Sequence, residues 1–161
     1  MALVRILVDG YSLLHSWPEL APGRARHSEA ARDELVRILT QYQDAAGTPV
    51  SVFFDGAGPK ARGPRTKSGD VVEVLFSRGD QTADQLIERA AHRFREYGEV
   101  LVVTNDYAER DTVISLGASS SSCENFIRMI ETAIADLQND IKRHNRSERH
   151  RFTGRTGHSR L

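Results

Sequence analysis

The chain has 161 residues, with 22 Lys and Arg against 22 Asp and Glu and a single cysteine. That is the length of one domain with a sizeable core. Zero net charge excludes a protein that attracts nucleic acid by being basic throughout, and one cysteine excludes an internal disulfide framework.

Leu3 to Val8 is an apolar run broken only by Arg5, which predicts a strand buried on both faces, and it ends in Asp9 and Gly10. Ser16 to His27, with Trp17 and Pro18, reads as a loop. Ser28 then caps a helix, with Glu29 favourable in its first turn. Its apolar face is Leu35, Ile38, Leu39 and Tyr42, and Gly47, Thr48 and Pro49 end it. Val50 to Phe54 is a second strand, again ending in an acid and a glycine, Asp55-Gly56. The loop Ala57 to Asp70 carries Lys60, Arg62, Arg65 and Lys67 with no acid before Asp70.

A third strand is predicted over Val71 to Phe76. Thr82 caps the next helix, which buries Ile87, Ala90, Ala91 and Phe94 and stops at Gly98. Val100 to Thr104 is a fourth strand and runs into Asn105 and Asp106. A shorter helix follows Asp106 and stops at Gly117, with a weakly signalled fifth strand near Ala118. In the last helix Ser121 and Glu124 have capping-box spacing, and Phe126, Ile130, Ala133, Ile134, Leu137 and Ile141 form an apolar stripe. From His144 too few apolar residues remain to pack. A domain over residues 1–143 and a basic, disordered tail over 144–161 are therefore expected. The body is then net acidic and the tail basic, an asymmetry that points to a polyanionic partner.

No apolar run approaches the ~20 residues of a membrane span, and MALVRILVDG is too short and wrongly flanked for a secretory leader. A cytoplasmic protein with no membrane partner, a monomer or weak dimer, is expected.

Strands alternating with helices predict an α/β fold, a mostly parallel sheet of about five strands with helices on both faces. In such a sheet the residues just past the carboxyl ends of the strands share one edge, where ligands bind. Asp9, Asp55, Asp84, Asn105 and Asp106 all fall there. Each has a plain structural role available: Asp9 and Asp55 in Asp-Gly turns, Asp84 in a first helical turn, Asp106 as a cap.

Together they create a problem. Unit charges ~4 Å apart repel by about 4 kcal/mol at an effective dielectric of 20. No Lys or Arg lies within the strand-end motifs, although Arg78 and Arg110 are close in sequence. Carboxylates completed by waters suit Mg²⁺ or Mn²⁺. His and Cys do not cluster, so structural zinc does not fit. Such a metal binds phosphate oxygens and activates water. The loop with Lys60, Arg62, Arg65 and Lys67, and the basic tail, could hold a phosphate backbone. Tyr11, Trp17, Tyr107 or Phe152 could stack an unpaired base, although core packing is the plainer reading of Tyr11 and Trp17. The expected partner is a polyanion with a phosphate backbone.

VDGYSLLHSWPEL resembles the VDGYN-type opening of NYN domains, a branch of the PIN-like nuclease superfamily, and is most similar to its YacP-like group. The strand VFFD, the phrase TADQLIE (Thr82 to Glu88) and TNDYAERDTVISLGA (Thr104 to Ala118) follow in the family's order. The resemblance spans about residues 3–137. It implies a single PIN-like domain and a metal-dependent endoribonuclease, with Asp9, Asp84 and Asp106 as the metal site and Asp55, Glu88 and Glu109 as supporting acids. Where the usual opening has asparagine after the tyrosine, this chain has Ser12, a shorter group that can orient a nearby carboxylate only partly. The alternative from another class is a PIN-like module that binds RNA or a ribonucleoprotein without cutting. A phosphorylation-receiving domain would want adjacent acids after the first strand and a late lysine, and a dinucleotide-binding domain would want G-x-G-x-x-G where DGYSLLH stands. The chain has neither.

Overall fold

The computed structural model describes residues 2–56 and 71–156, and of 150–156 only their place in a helix. Five strands, β1 (Leu3–Asp9), β2 (Val50–Phe54), β3 (Glu73–Phe76), β4 (Glu99–Val103) and β5 (Ser119–Ser121), form one sheet in the order β3-β2-β1-β4-β5. Every pairing is parallel, as the alternation of strands and helices predicts. The helices are α1 (Gly10–His15), α2 (Glu29–Ala46), α3 (Ala83–Phe94), α4 (Tyr107–Ser115) and α5 (Cys123–Thr156). A 3-10 turn, Arg95–Tyr97, joins α3 to Gly98 and β4.

The period-2 alternation of strand side chains divides the interior into two layers. Ile6 and Val8 of β1 and Val50, Val52 and Phe54 of β2 pack with Leu13, Leu35, Leu39, Phe126 and Ile130 of α1, α2 and α5. Leu7 and Phe53 point the other way, onto Ala83, Ile87, Ala91 and Val113 of α3 and α4. The centre of β1 and the whole of β2 are buried on both faces, which is why these strands read as nearly continuous apolar runs, interrupted only by Arg5 and Ser51. Trp17 is half-buried against the first layer, the packing role its plainer reading assigned.

Three local details depart from the sequence reading. Gly10–His15 is helical, with Asp9 as its N-cap; six residues are too few for a periodic signal. The cap of α5 is Ser122, whose Oγ accepts from Asn125 N at 3.1 Å; the Ser121 hydroxyl instead donates to Ser122 O at 3.1 Å. The boundary at 143 does not stop α5. Residues 144–156, expected to be disordered, continue the helix to Thr156, because no glycine lies between Gly117 and Gly154 and no proline follows Pro64. The apolar stripe is buried only at its start: Phe126 and Ile130 are fully buried, whereas Leu137 and Ile141 are exposed. Its later turns lie beyond the sheet's cover.

Gly10 sets how closely β1 and α1 approach β2. A Cβ there would sit 2.6 Å from Phe54 Cδ1 and 2.9 Å from Cζ, and the fully buried Phe54 ring has no free space to yield. Gly10→Ala should destabilise the fold by about 1–3 kcal/mol, read as a lowered thermal midpoint; an unchanged midpoint would show that the ring can shift.

Candidate active site

The chain enters the sheet at β1, builds β2 and β3 on one side, and crosses over to build β4 and β5 on the other. The crevice at the carboxyl ends of β1 and β4 is the topological switch point, where open α/β sheets bind their ligands. Asp9 is the last residue of β1, and Asn105 and Asp106 follow β4.

Each acid is fixed by a local motif. Asp9 caps α1: Oδ1 accepts from Ser12 N at 3.4 Å and Oδ2 from the Ser12 hydroxyl at 2.9 Å. Ser12, the departure from the family's asparagine, thus holds Asp9 through both its amide and its hydroxyl. Asp106 caps α4, with Oδ1 accepting from Ala108 N at 2.9 Å and Glu109 N at 3.3 Å. Its own amide donates to the buried Thr104 hydroxyl at 3.1 Å. Asp84 lies in the first turn of α3, whose start is closed by a reciprocal capping box between Thr82 and Gln85. Asp55 spends one oxygen as a bracket: Oδ1 accepts from Ala83 N at 2.7 Å and from Ser77 Oγ at 3.2 Å. It thereby ties the start of α3 to the ends of β2 and β3.

Asn105 binds three elements together. Its Nδ2 donates to Ser16 Oγ and Glu124 Oε1, both at 3.0 Å, and its Oδ1 accepts from Cys123 N at 2.8 Å. Ser16 and Glu124 were not among the predicted site residues; the only sequence signal was Glu124 in an apparent capping box, and its carboxylate turns to Asn105 instead. Glu124 is held below the usual carboxylate range by its own backbone amide at the helix start and by Asn105.

The acids act on one another. Asp84 is pushed up to about 6, first by burial, then by the charges of Asp9, Asp106, Asp55 and Glu88. Burial also raises Asp9, opposed by the two Ser12 bonds and reinforced by Asp55 and Asp106. Glu109 is only 3% exposed and is raised to about 9 by burial, by a carboxyl–carboxyl hydrogen bond with Glu88, and by the charges of Asp84, Glu88 and Asp106. Glu109 Oε1 has no hydrogen-bond partner among the described residues. The ion pairs seen among the described residues, Arg37–Glu34 and His144–Glu148, lie elsewhere, and neither Arg78 nor Arg110 folds in to neutralise the acids. Burial pushes the Cys123 thiol up to about 12, so it is no nucleophile.

This oxygen-only donor set, short of cations and with an unmet buried oxygen, fits a hard divalent ion in its chemistry. As the side chains stand, however, no group of three or more His, Cys, Asp or Glu among the described residues is arranged to hold a metal. Lys60, Arg62, Arg65 and Lys67 lie outside the described residues, as does the side chain of Phe152. Tyr11 is engaged by the His27 and Phe54 rings and by Arg32, which donates to its hydroxyl at 3.2 Å. Tyr107 stands 77% exposed.

A parallel five-stranded sheet with interacting acids at its switch point defines a PIN-like domain of the NYN type. The chain belongs to the YacP-like NYN domain family, which it matches over residues 6–159; NYN domains are typically nucleases. It is 31% identical over 139 residues to the uncharacterized protein YacP of Bacillus subtilis (strain 168), covering 86% of this chain and 81% of that one. It is also similar to crystal structures of Rae1 (YacP) from Bacillus subtilis. One aligns with a TM-score of 0.76 at 27% identity over 98% of this chain and 89% of that one. A mutant form aligns with a TM-score of 0.74 at 29% identity over 89% and 84%.

The raised pKa of Glu109 has a consequence for stability. A carboxyl whose folded-state pKa exceeds its unfolded value of 4.5 stabilises the fold fully below that value and loses the contribution as pH rises through about 9. Stability measured in chelator should therefore fall between pH 5 and pH 9. Glu109→Gln should flatten that slope and stabilise the protein at the alkaline end by about 1–2 kcal/mol. Denaturant melts at the two pH limits check this, and an unaltered slope in the variant would remove Glu109 as its source.

Proposed function

We propose that this protein is an endoribonuclease that hydrolyses RNA phosphodiester bonds with Mg²⁺ or Mn²⁺ held at Asp9, Asp84 and Asp106. The observation that carries the reading is the position of these three carboxylates at the end of β1 and the starts of α3 and α4, close enough that the charges of Asp9 and Asp106 both raise Asp84. Mg²⁺ is commonly bound by one or two carboxylates with waters filling its shell, which suits acids that stand near one another without closing into a cage. When bound, the ion supplies charge neutralisation and a water of lowered pKa.

The chain's own residues do the rest. Ser12 fixes the orientation of Asp9, the α4 amides fix Asp106, and Asp55 fixes the start of α3 and so the place of Asp84. Glu109, raised to about 9 by burial and by the acids around it, keeps its proton beside the site and so presents no further negative charge to an incoming phosphate. Attack by water needs no 2′-hydroxyl and leaves a 5′-phosphate and a 3′-hydroxyl. The similarity to YacP and the Rae1 (YacP) structures supports an RNA-related role, on RNA alone or within a ribonucleoprotein such as the ribosome. No helix among the described residues is long and apolar enough to cross a membrane, and cytoplasmic RNA is the substrate this reading assigns.

The absence of a ready three-acid group among the described residues favours one other reading, an RNA-binding module that does not cut. Metal titration separates the two. Chelator-treated protein should leave labelled RNA intact, cut it on addition of Mn²⁺, and yield 5′-phosphate ends; 2′,3′-cyclic phosphates would overturn the hydrolytic mechanism. Asp9→Asn should abolish cutting with the fold intact by circular dichroism, whereas Ser12→Ala, which removes only the hydroxyl that orients Asp9, should lower the rate by roughly tenfold or more. RNA retained equally with and without metal, and never cut, would establish the binding module.

A further inference from the structure

Beside the acid rim, on the β4–β5 side, lies a cleft of about 570 Å³ between the starts of α4 and α5. That is within the range of sites that hold small organic ligands. Asp106 belongs to its wall, so the cleft opens directly off the acidic site. Its other contributions differ in kind from those of the rim. Tyr107 offers a largely exposed ring. Arg110, one turn further along α4, is exposed, and its side chain makes no hydrogen bond or ion pair with any described residue. Across from them stand Ser120 and Asn125. The Ser120 hydroxyl is buried with no hydrogen-bond partner among the described residues, an unmet donor and acceptor of the kind that folded proteins rarely leave unused. Asn125 gives Nδ2 to Ser121 Oγ at 3.1 Å.

These groups fit one nucleotide unit. An aromatic face takes an unpaired base of any identity, an unpaired guanidinium takes a phosphate through its fork of donors, and the exposed Asn125 amide can meet a base edge. The orientation follows from charge. The start of α5, which would otherwise attract a phosphate, carries Glu124, so the phosphate belongs on the Arg110 side and the base on the serine side. Resting on the nuclease reading above, we propose that this cleft is a subsite for an unpaired nucleotide of single-stranded RNA next to the scissile phosphate, with Tyr107 stacking on the base and Arg110 holding its phosphate.

The test is the affinity of the full chain, in chelator, for a short unstructured fluorescent RNA, followed by cleavage of the same RNA with Mn²⁺. Tyr107→Ala and Arg110→Ala should each weaken binding and raise KM, Tyr107→Ala by roughly five- to a hundredfold. Tyr107→Phe should restore affinity to near that of the wild type. Tyr97→Ala, an equally exposed tyrosine before β4 at the opposite edge of the sheet, should leave it within about twofold, the spread ordinary for a surface change. Both residues are exposed, so their loss leaves the fold intact. If Tyr107→Ala and Arg110→Ala bind and cut like the wild type while Asp9→Asn does not cut, the subsite is overturned and the nuclease reading stands. If the wild type neither binds nor cuts the RNA, both fall.

Discussion

Like charges do not share a small space without something to hold them there, and the carboxyl edge of this sheet is organised around that difficulty. Asp9, Asp84 and Asp106 come from three separate parts of the chain, yet Asp9 feels the charge of Asp106, and Asp84 feels those of both. What fixes them is backbone amide and hydroxyl rather than cationic side chains. Asp9 and Asp106 cap the helices that follow their strands, and Asp84 rides the first turn of a capped helix. Helix starts favour negative charge through their unpaired amides and aligned dipoles, so parallel topology, which brings helix starts to the carboxyl ends of the strands, lowers the free energy of the cluster. The remaining repulsion, added to burial, raises the pKa values of Asp84 and Glu109.

Two residues that tie the rim together matter as much as the three aspartates. Asp55 ties α3 to the ends of two strands, and Asn105 ties the end of β4 to α1 and α5 through Ser16, Glu124 and Cys123. They join the strand ends and helix starts of the rim by hydrogen bonds. The adjoining cleft, with the exposed Tyr107 and Arg110 on its wall, opens beside them. The acid rim and the cleft share Asp106, so anything bound in one bears on the other.

The long last helix serves two ends. Its first turns complete the core through Phe126 and Ile130, and its later turns leave the body with Leu137 and Ile141 exposed. A helix of 34 residues spans about 50 Å, more than a domain of this size can cover.

By itself the sequence determined the elements and the rim. The apolar runs marked strands dry on both faces; Ser28, Thr82 and Asp106 marked helix starts; Gly47, Gly98 and Gly117 marked their ends. Five strands alternating with helices were enough to place the acids on one edge, because parallel topology leaves little choice. Tertiary structure decided what each acid does there. Asp55 and Asp106 look alike in sequence, an acid just after a strand, but one clasps a neighbouring helix while the other caps its own. The short α1, the turn of Glu124 toward Asn105, and the burial of Glu109 beside Glu88 depend on contacts between residues far apart in the chain. So does the limit of the core along α5: a helical stripe records which residues could be buried, and only the extent of the sheet sets how many are.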